Sequence, residues 1–270
     1  MKKTLTALVF IMLLLPLISC KKNKRPESKD DIETPDESPG KKNYLPVKFE
    51  SSSLHIYLKY KEGTKLLAEI SGSDGDRILI TYTSAQIPLK LENYKQTTLV
   101  KLIDYHQDGQ QQITQCTSFD YDAINRTYIP LGDINIGYDA NAQISNLKFF
   151  DDLNKLTKAL TMLYNTTGNL SVVQLTAQPG NNTLNYTYDQ QTGIYKHVPY
   201  AALFSIALER YFFNSSNNNL LNFSNQKNSV ENTTYTYEYN QEGYPIQMIV
   251  SQHKTTQRFK ISYIEAGKIN

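Results

Sequence analysis

The feature that most constrains this chain is a degenerate repeat. An aromatic strand ends in Tyr, a polar residue such as Asn or Asp follows, then a turn often marked by Gly, then a new apolar alternation. The clearest copies are Tyr164-Asn165-Thr166-Thr167-Gly168-Asn169-Leu170 and Tyr239-Asn240-Gln241-Glu242-Gly243-Tyr244-Pro245-Ile246. Weaker copies begin at Tyr105, Tyr121, Tyr138 and Tyr188, and Gly is missing after Tyr121 and Tyr138. Most copies stand 16 to 26 residues apart, which is the length of a strand, a turn and a returning strand. Asn and Gly accept the left-handed backbone that tight hairpins demand. Tyrosines before the turn supply cross-strand packing area with a polar tip. One hairpin is marginal alone, so neighbours must join to bury a continuous face.

The rest of the body reads the same way. Leu54, Ile56, Leu58 and Tyr60 alternate with His55, Tyr57 and Lys59, the period of a half-buried strand. Glu62-Gly63 and Gly72-Ser73-Asp74-Gly75-Asp76 turn the chain, and Ile78, Ile80 and Tyr82 alternate again. Asp74 and Asp76 suit calcium chemically, but a full oxygen cage needs more carboxylates than this loop holds. Twenty Tyr, ten Phe and no Trp, with abundant Thr, Asn and Gln, favour strands and turns. The expected fold is mainly β: a long antiparallel meander of hairpins forming a curled, barrel-like or open sheet.

One segment breaks the pattern. Tyr200, Leu203, Phe204, Ala207, Leu208 and Tyr211 recur at three- and four-residue spacing, with Pro199 before them and an Asn-rich run from Asn214 to Asn219 after. This predicts one inserted amphipathic helix, about 199–213, packed on the concave face of the sheet. Asp151–Leu163 suits either a helix or a strand; repeat logic favours a strand at its end.

The Tyr-polar-turn-Gly pattern from about Ile78 to Tyr263 resembles the YD repeats of the RHS family. It is still more similar to a group of Bacteroidetes lipoproteins with YD-like β-repeats and no assigned function. No Arg follows the turn glycines here, so the toxin-encapsulating shell of RHS proteins is not carried over. The five repeat tyrosines Tyr105, Tyr138, Tyr164, Tyr188 and Tyr239 are the candidate binding residues of the body.

The N-terminus predicts location. Lys2 and Lys3 precede an apolar run from Leu5 to Ile18, then Ser19 and Cys20. This is the order of a secretory signal peptide. The run of about 14 residues falls short of the roughly 17–25 that span a bilayer. Leu17-Ile18-Ser19-Cys20 resembles the bacterial lipobox, and that resemblance implies cleavage before Cys20 and lipidation of its sulfur. Two or more acyl chains anchor firmly, where one alone is marginal. Residues 21–43 are charged, proline-bearing and nearly free of apolar groups, the composition of a disordered tether. The expected division is therefore 1–19 signal peptide, 20–43 lipidated Cys and tether, and 44–270 a single β-rich domain. By the same resemblance the protein belongs to the bacterial cell envelope, lipid-anchored in the outer membrane, with its periplasmic or surface face open.

Charge and chemistry narrow the function classes. Of 28 basic residues, Lys2 and Lys3 leave with the signal, giving 26 basic against 26 acidic. A neutral body lacks the concentrated basic face that nucleic acid requires. Cys116, the single thiol left after lipidation, stands in an alternating segment and reads as a core residue. The histidines at 55, 106, 197 and 253 are isolated, no zinc ligand spacing or Gly-x-Ser-x-Gly elbow occurs, and no catalytic residue, metal or cofactor is expected. The function expected is a non-enzymatic, membrane-anchored envelope lipoprotein presenting a Tyr-rich β surface to an envelope protein or glycan. The alternatives are a glycan- or small-ligand-binding module and a polysaccharide hydrolase.

Overall fold

The computed structural model describes residues 42–177, 180–207 and 215–269. Sixteen strands follow one another in chain order: Tyr44–Glu50 (β1), His55–Tyr60 (β2), Leu67–Gly72 (β3), Arg77–Tyr82 (β4), Pro88–Lys95 (β5), Thr98–Gln107 (β6), Ile113–Asp122 (β7) and Thr127–Tyr138 (β8). Then come Ile144–Phe150 (β9), Leu156–Tyr164 (β10), Leu170–Ala177 (β11), Asn182–Tyr188 (β12), Leu220–Asn225 (β13), Thr233–Tyr239 (β14), Pro245–Gln252 (β15) and Thr255–Glu265 (β16). Each pairs antiparallel with its neighbours in sequence, and β1 pairs with β16, Phe49 opposite Ile261, to close a barrel. The open-sheet alternative is thereby excluded. β10 answers the ambiguity of Asp151–Leu163 in favour of a strand. Closure removes the two exposed edges that an open meander of this length would present.

Because every connection reverses direction, the turns alternate between two rims. The turns that follow Tyr60, Tyr82, Gln107, Tyr138, Tyr164, Tyr188 and Tyr239 all fall on one, called here the Tyr rim. The copy at Tyr121 belongs to the opposite rim, because Asp122 ends β7. The local logic of the repeat is visible in the turns. Asp139 Oδ1 accepts the N–H of Asn141 and Gln143, Asn165 Oδ1 those of Thr167 and Asn169, and Asn240 Oδ1 those of Glu242 and Tyr244. This is why a short oxygen-bearing side chain follows the tyrosine. The fourth loop position is left-handed, with φ of 77° at Gly168 and 80° at Gly243. Ala142 occupies the same place at 58° and Gln111 at 66°, so two copies keep the conformation without glycine. The Gly72–Asp76 turn closes likewise, with Asp74 Oδ1 accepting the Asp76 N–H.

Inward positions are apolar. Phe49, Ile56, Ile78, Tyr105, Met248 and Phe259 are among the buried residues of the core. Sixteen strands enclose more room than wall side chains fill, and an insertion between β12 and β13 occupies part of it. It carries the helix Ala201–Ala207 (α1), shorter than the expected 199–213; Leu208 to Phe213 lie outside the described residues. Tyr200 stands before the helix in a left-handed conformation, φ 61°, and is 37% exposed, so the stripe begins at Ala201. Phe204 is fully buried, its ring centroid 6.5 Å from Tyr105, and Tyr195 stacks on Phe49 at 6.0 Å. Of the expected stripe, Leu203 and Phe204 pack on the concave face of the sheet, here closed into a lumen, while the side chains from Ala207 to Phe213 lie outside the described residues.

Candidate functional site

The Tyr rim gathers the candidate tyrosines and the root of the insertion. Hairpin strands are joined covalently at one end only; at the Tyr rim β1 and β2, for example, have no turn between them. Tyrosine hydroxyls tie those free ends. Tyr60 donates to the Pro46 carbonyl at 2.8 Å, Tyr82 to Leu67 at 2.7 Å, Tyr138 to Ile113 at 2.6 Å, Tyr164 to Ile144 at 2.8 Å and Tyr237 to Leu220 at 2.8 Å. Four of the five acceptors are the first residue of the preceding strand. Burial favours the neutral phenol, pushing Tyr138 and Tyr164 up to about 12.

The other candidates differ. The Tyr105 hydroxyl is buried without a hydrogen-bond partner, and burial holds its pKa well above 10. Tyr188 ends β12 close enough to Tyr164 and Tyr186 to help raise their hydroxyls. Tyr239, on the same strand face as Tyr235 and Tyr237, donates to the Asp189 carboxylate; burial first, then that hydrogen bond, raises its pKa. Tyr138, Tyr164, Tyr188 and Tyr239 each end a strand at the rim and Tyr105 stands two residues before the end of β6; the five do not converge on one pocket. A shallow depression of about 470 Å³ on the rim, of mixed polarity, is lined by Tyr164 with Asp139, Asn141, Asn146, Met162 and Leu163 among others. Tyr105, Tyr138, Tyr188 and Tyr239 do not line it. Cys116 is 2% exposed, and burial pushes its thiol up to about 12, so it is no thiolate nucleophile at neutral pH. Cys20 lies outside the described residues.

The repeat also explains how the insertion is held. At an ordinary rim turn the first residue bonds the fourth beyond it, as the Asp139 N–H does to the Gln143 carbonyl. Asp189 makes the same bond to Asn219, so the insertion is one rim turn opened to admit 29 residues between its closing partners, 190 to 218. Asp189 Oδ1 accepts the N–H groups of Gln191 and Asn219, and Oδ2 accepts the Asn219 side-chain amide at 3.1 Å. Asn219, 2% exposed, also donates to the Thr192 carbonyl and accepts from the Ile194 N–H. Next to it, Asn169 and Asn218 exchange two bonds at 2.8 and 3.0 Å, fastening the insertion to the β10–β11 turn. The Asn-rich run, expected only as helix punctuation, is this latch. In the sequence Tyr188-Asp189 followed by Gly193 looks like an ordinary copy of the repeat, so nothing local marks the opened turn.

Away from β8, the outer wall carries charged and polar groups, with Tyr57, Leu89, Leu156, Leu163 and Ile246 as exposed apolar exceptions among the described strands. Lys59 pairs with Glu69 at 3.0 Å across β2 and β3, and Lys90 with Asp104 at 3.6 Å across β5 and β6, while Lys148 and Arg258 are exposed. Among the described residues no group of His, Cys, Asp and Glu is arranged to hold a metal, and no helix is long and apolar enough to cross a membrane.

Comparison with solved structures places this architecture. By fold, the chain is similar to a porin-like protein from Bacteroides uniformis. The two share 12% sequence identity at a TM-score of 0.52, covering 83% of this chain and 98% of that one. A porin-like protein from Bacteroides vulgatus matches at 11% identity and TM-score 0.44, over 82% of this chain and 99% of that one. A TcdB2–TccC3–Cdc42 structure matches at 13% identity and 0.35, over 78% of this chain and 12% of that one. No protein-family model matches the sequence, and no curated protein does. The similarity to the Bacteroides uniformis protein is one of fold.

Proposed function

We propose that this protein is a non-enzymatic component of the bacterial cell envelope. Cys20 carries the lipid that holds it to the membrane, and its barrel stands outside the bilayer, presenting its surface to an envelope protein or glycan. One observation carries this reading: the wall has the polarity of a water-soluble barrel. A membrane barrel turns an apolar band toward lipid and keeps polar groups inside. Here charged pairs such as Lys59–Glu69 face outward, and Phe49, Ile56 and Phe259 face in. The lumen beside α1 holds apolar side chains such as Phe49, Tyr105 and Phe204. A body of this kind needs an anchor to stay at a membrane, which is the part the Leu17–Cys20 box supplies. The porin-like neighbours lend the barrel an envelope setting.

Cell fractionation tests the reading. Wild-type protein is expected in the membrane fraction, and Cys20→Ala in the soluble fraction with an intact barrel. A folded Cys20→Ala protein that stays in the membrane would refute it, since the barrel itself would then be the membrane element.

A further inference from the structure

We infer that two copies of this chain associate through the β7–β8 hairpin, pairing the open edge of β8 with its own two-fold mate. The hairpin stands out from the rim opposite the Tyr rim. β8 pairs with β9 only from Ile134 to Tyr138; its first half, Thr127 to Gly132, pairs among the described residues with β7 alone. It is an open edge, as is β16 from Thr255 to Phe259, which among the described residues pairs with β15 alone; that second stretch begins with Thr255, Thr256, Gln257 and Arg258, whereas this one is apolar. Gly132 marks where the sheet splits: a Cβ there would stand 1.9 Å from the Phe150 carbonyl at the end of β9.

Apolar surface collects at the same place. Twelve large apolar side chains are exposed among the described residues, and six of them belong to this hairpin and the β9–β10 turn beside it. They are Ile124 (92%), Tyr128, Ile129, Leu131, Leu153 (84%) and Leu156. Together they expose on the order of 700 Å², near the roughly 800 Å² that each partner of a stable pair buries. Because neighbouring strand residues alternate, Ile129 and Leu131 lie on one face of the hairpin and Tyr128 on the other, so apolar surface brackets the open edge on both sides. Tyr128 is braced by Tyr121 at 5.3 Å and Phe119 at 6.1 Å, so little rotamer freedom remains to be lost there on binding.

The edge also says which occupant fits. A bilayer could cover the side chains, but it offers nothing to the unpaired backbone groups; another strand satisfies both. Pro130 has no N–H to give β7, and alternate residues of a strand point the same way, so the Tyr128 and Pro130 backbone groups face the open side. A dyad through Ile129 then lets each Tyr128 N–H donate to the Pro130 carbonyl of the other copy, a reciprocal pair that needs no proline donor. A two-fold contact closes on itself and uses up both edges, whereas a head-to-tail contact would propagate.

The geometry gives a direct test in the full-length, membrane-held protein. Residues meeting on an antiparallel dyad have Cα atoms about 4.5–5.5 Å apart, within disulfide reach, and the buried Cys116 does not compete. Under mild copper–phenanthroline oxidation, Ile129→Cys is expected to give a chain dimer at least tenfold above Lys59→Cys on the far wall. Independently, light scattering of detergent-solubilised wild type is expected to give twice the chain mass, and Ile129→Lys the single mass with an unchanged melting curve. Four results would overturn the proposal: a monomeric wild type, cross-linking of Ile129→Cys no stronger than that of Lys59→Cys, an adduct with a different protein, or labelling of Ile129→Cys only by a lipid-soluble maleimide.

Discussion

The Tyr164 hydroxyl donates to the carbonyl of Ile144 at 2.8 Å, joining the end of β10 to the start of β9 where no turn connects them. Tyr105, two residues further from its turn, has a buried hydroxyl with no partner. The two therefore respond differently to loss of one oxygen. Tyr164→Phe is expected to cost about 1–2 kcal/mol, because a bond is lost and a carbonyl is left unpaired. Tyr105→Phe removes an unsatisfied buried hydroxyl and is expected to be neutral or stabilising. Urea denaturation of both variants measures the difference, and equal losses would contradict the tying role.

The latch makes a second prediction. Asn219 satisfies Asp189, Thr192 and Ile194 from a buried position, so truncation strands several polar groups at once. Asn219→Ala is expected to cost about 2–3 kcal/mol and to open 189–219 to protease before the barrel itself is cut. Limited proteolysis with mass spectrometry locates the first cleavage. Cuts appearing first in another loop would show that the insertion is held by other means.

Much of this was legible in the sequence, for a local reason. Hairpins are set by neighbours in the chain, so Tyr164-Asn165 and Tyr239-Asn240 announce their turns, and the alternation from Leu54 to Tyr60 announces β2. Closure was not legible, because the pairing of Phe49 with Ile261 joins the two ends of the chain and leaves no periodic trace. The helical stripe around Phe204 showed that a face was buried, while the lumen receiving it exists only after closure. The five candidate tyrosines were visible as a set. That Tyr138 and Tyr164 spend their hydroxyls on the wall while Tyr239 turns to Asp189 depends on three-dimensional neighbours that spacing does not encode.

Phe204 tests whether the insertion belongs to the core. Its ring is fully buried against Tyr105, so Phe204→Ala is expected to cost about 3–5 kcal/mol through lost burial and the cavity left behind. Calorimetry should record one cooperative transition at a lower melting temperature. An unchanged melting temperature would place the helix outside the core.

Alkaline pH supplies a test with a definite sign. Tyr138 and Tyr164 are raised from 10.0 to about 12, and Cys116 from 9.0 to about 12. Between the ordinary and raised values the folded chain binds more protons than the unfolded one, so stability falls with rising pH. The contribution of these groups is full below about pH 9 and is lost progressively toward pH 12. Tyrosinate absorbance followed with circular dichroism should show these phenols ionising together with unfolding. Smooth ionisation near pH 10 with the fold retained would contradict the burial.

The central claim is that the barrel wall faces water while the protein is held at a membrane. Single cysteines at Lys59 on β2, Lys148 on β9 and Arg258 on β16 sample that wall at separated places. In the full-length protein in intact membranes, all three are expected to react with a membrane-impermeant, hydrophilic maleimide as fast as they do in detergent, while Cys116 stays silent. Protection of the three from that reagent, with labelling by a lipid-soluble maleimide instead, would put the wall in the bilayer and contradict the account.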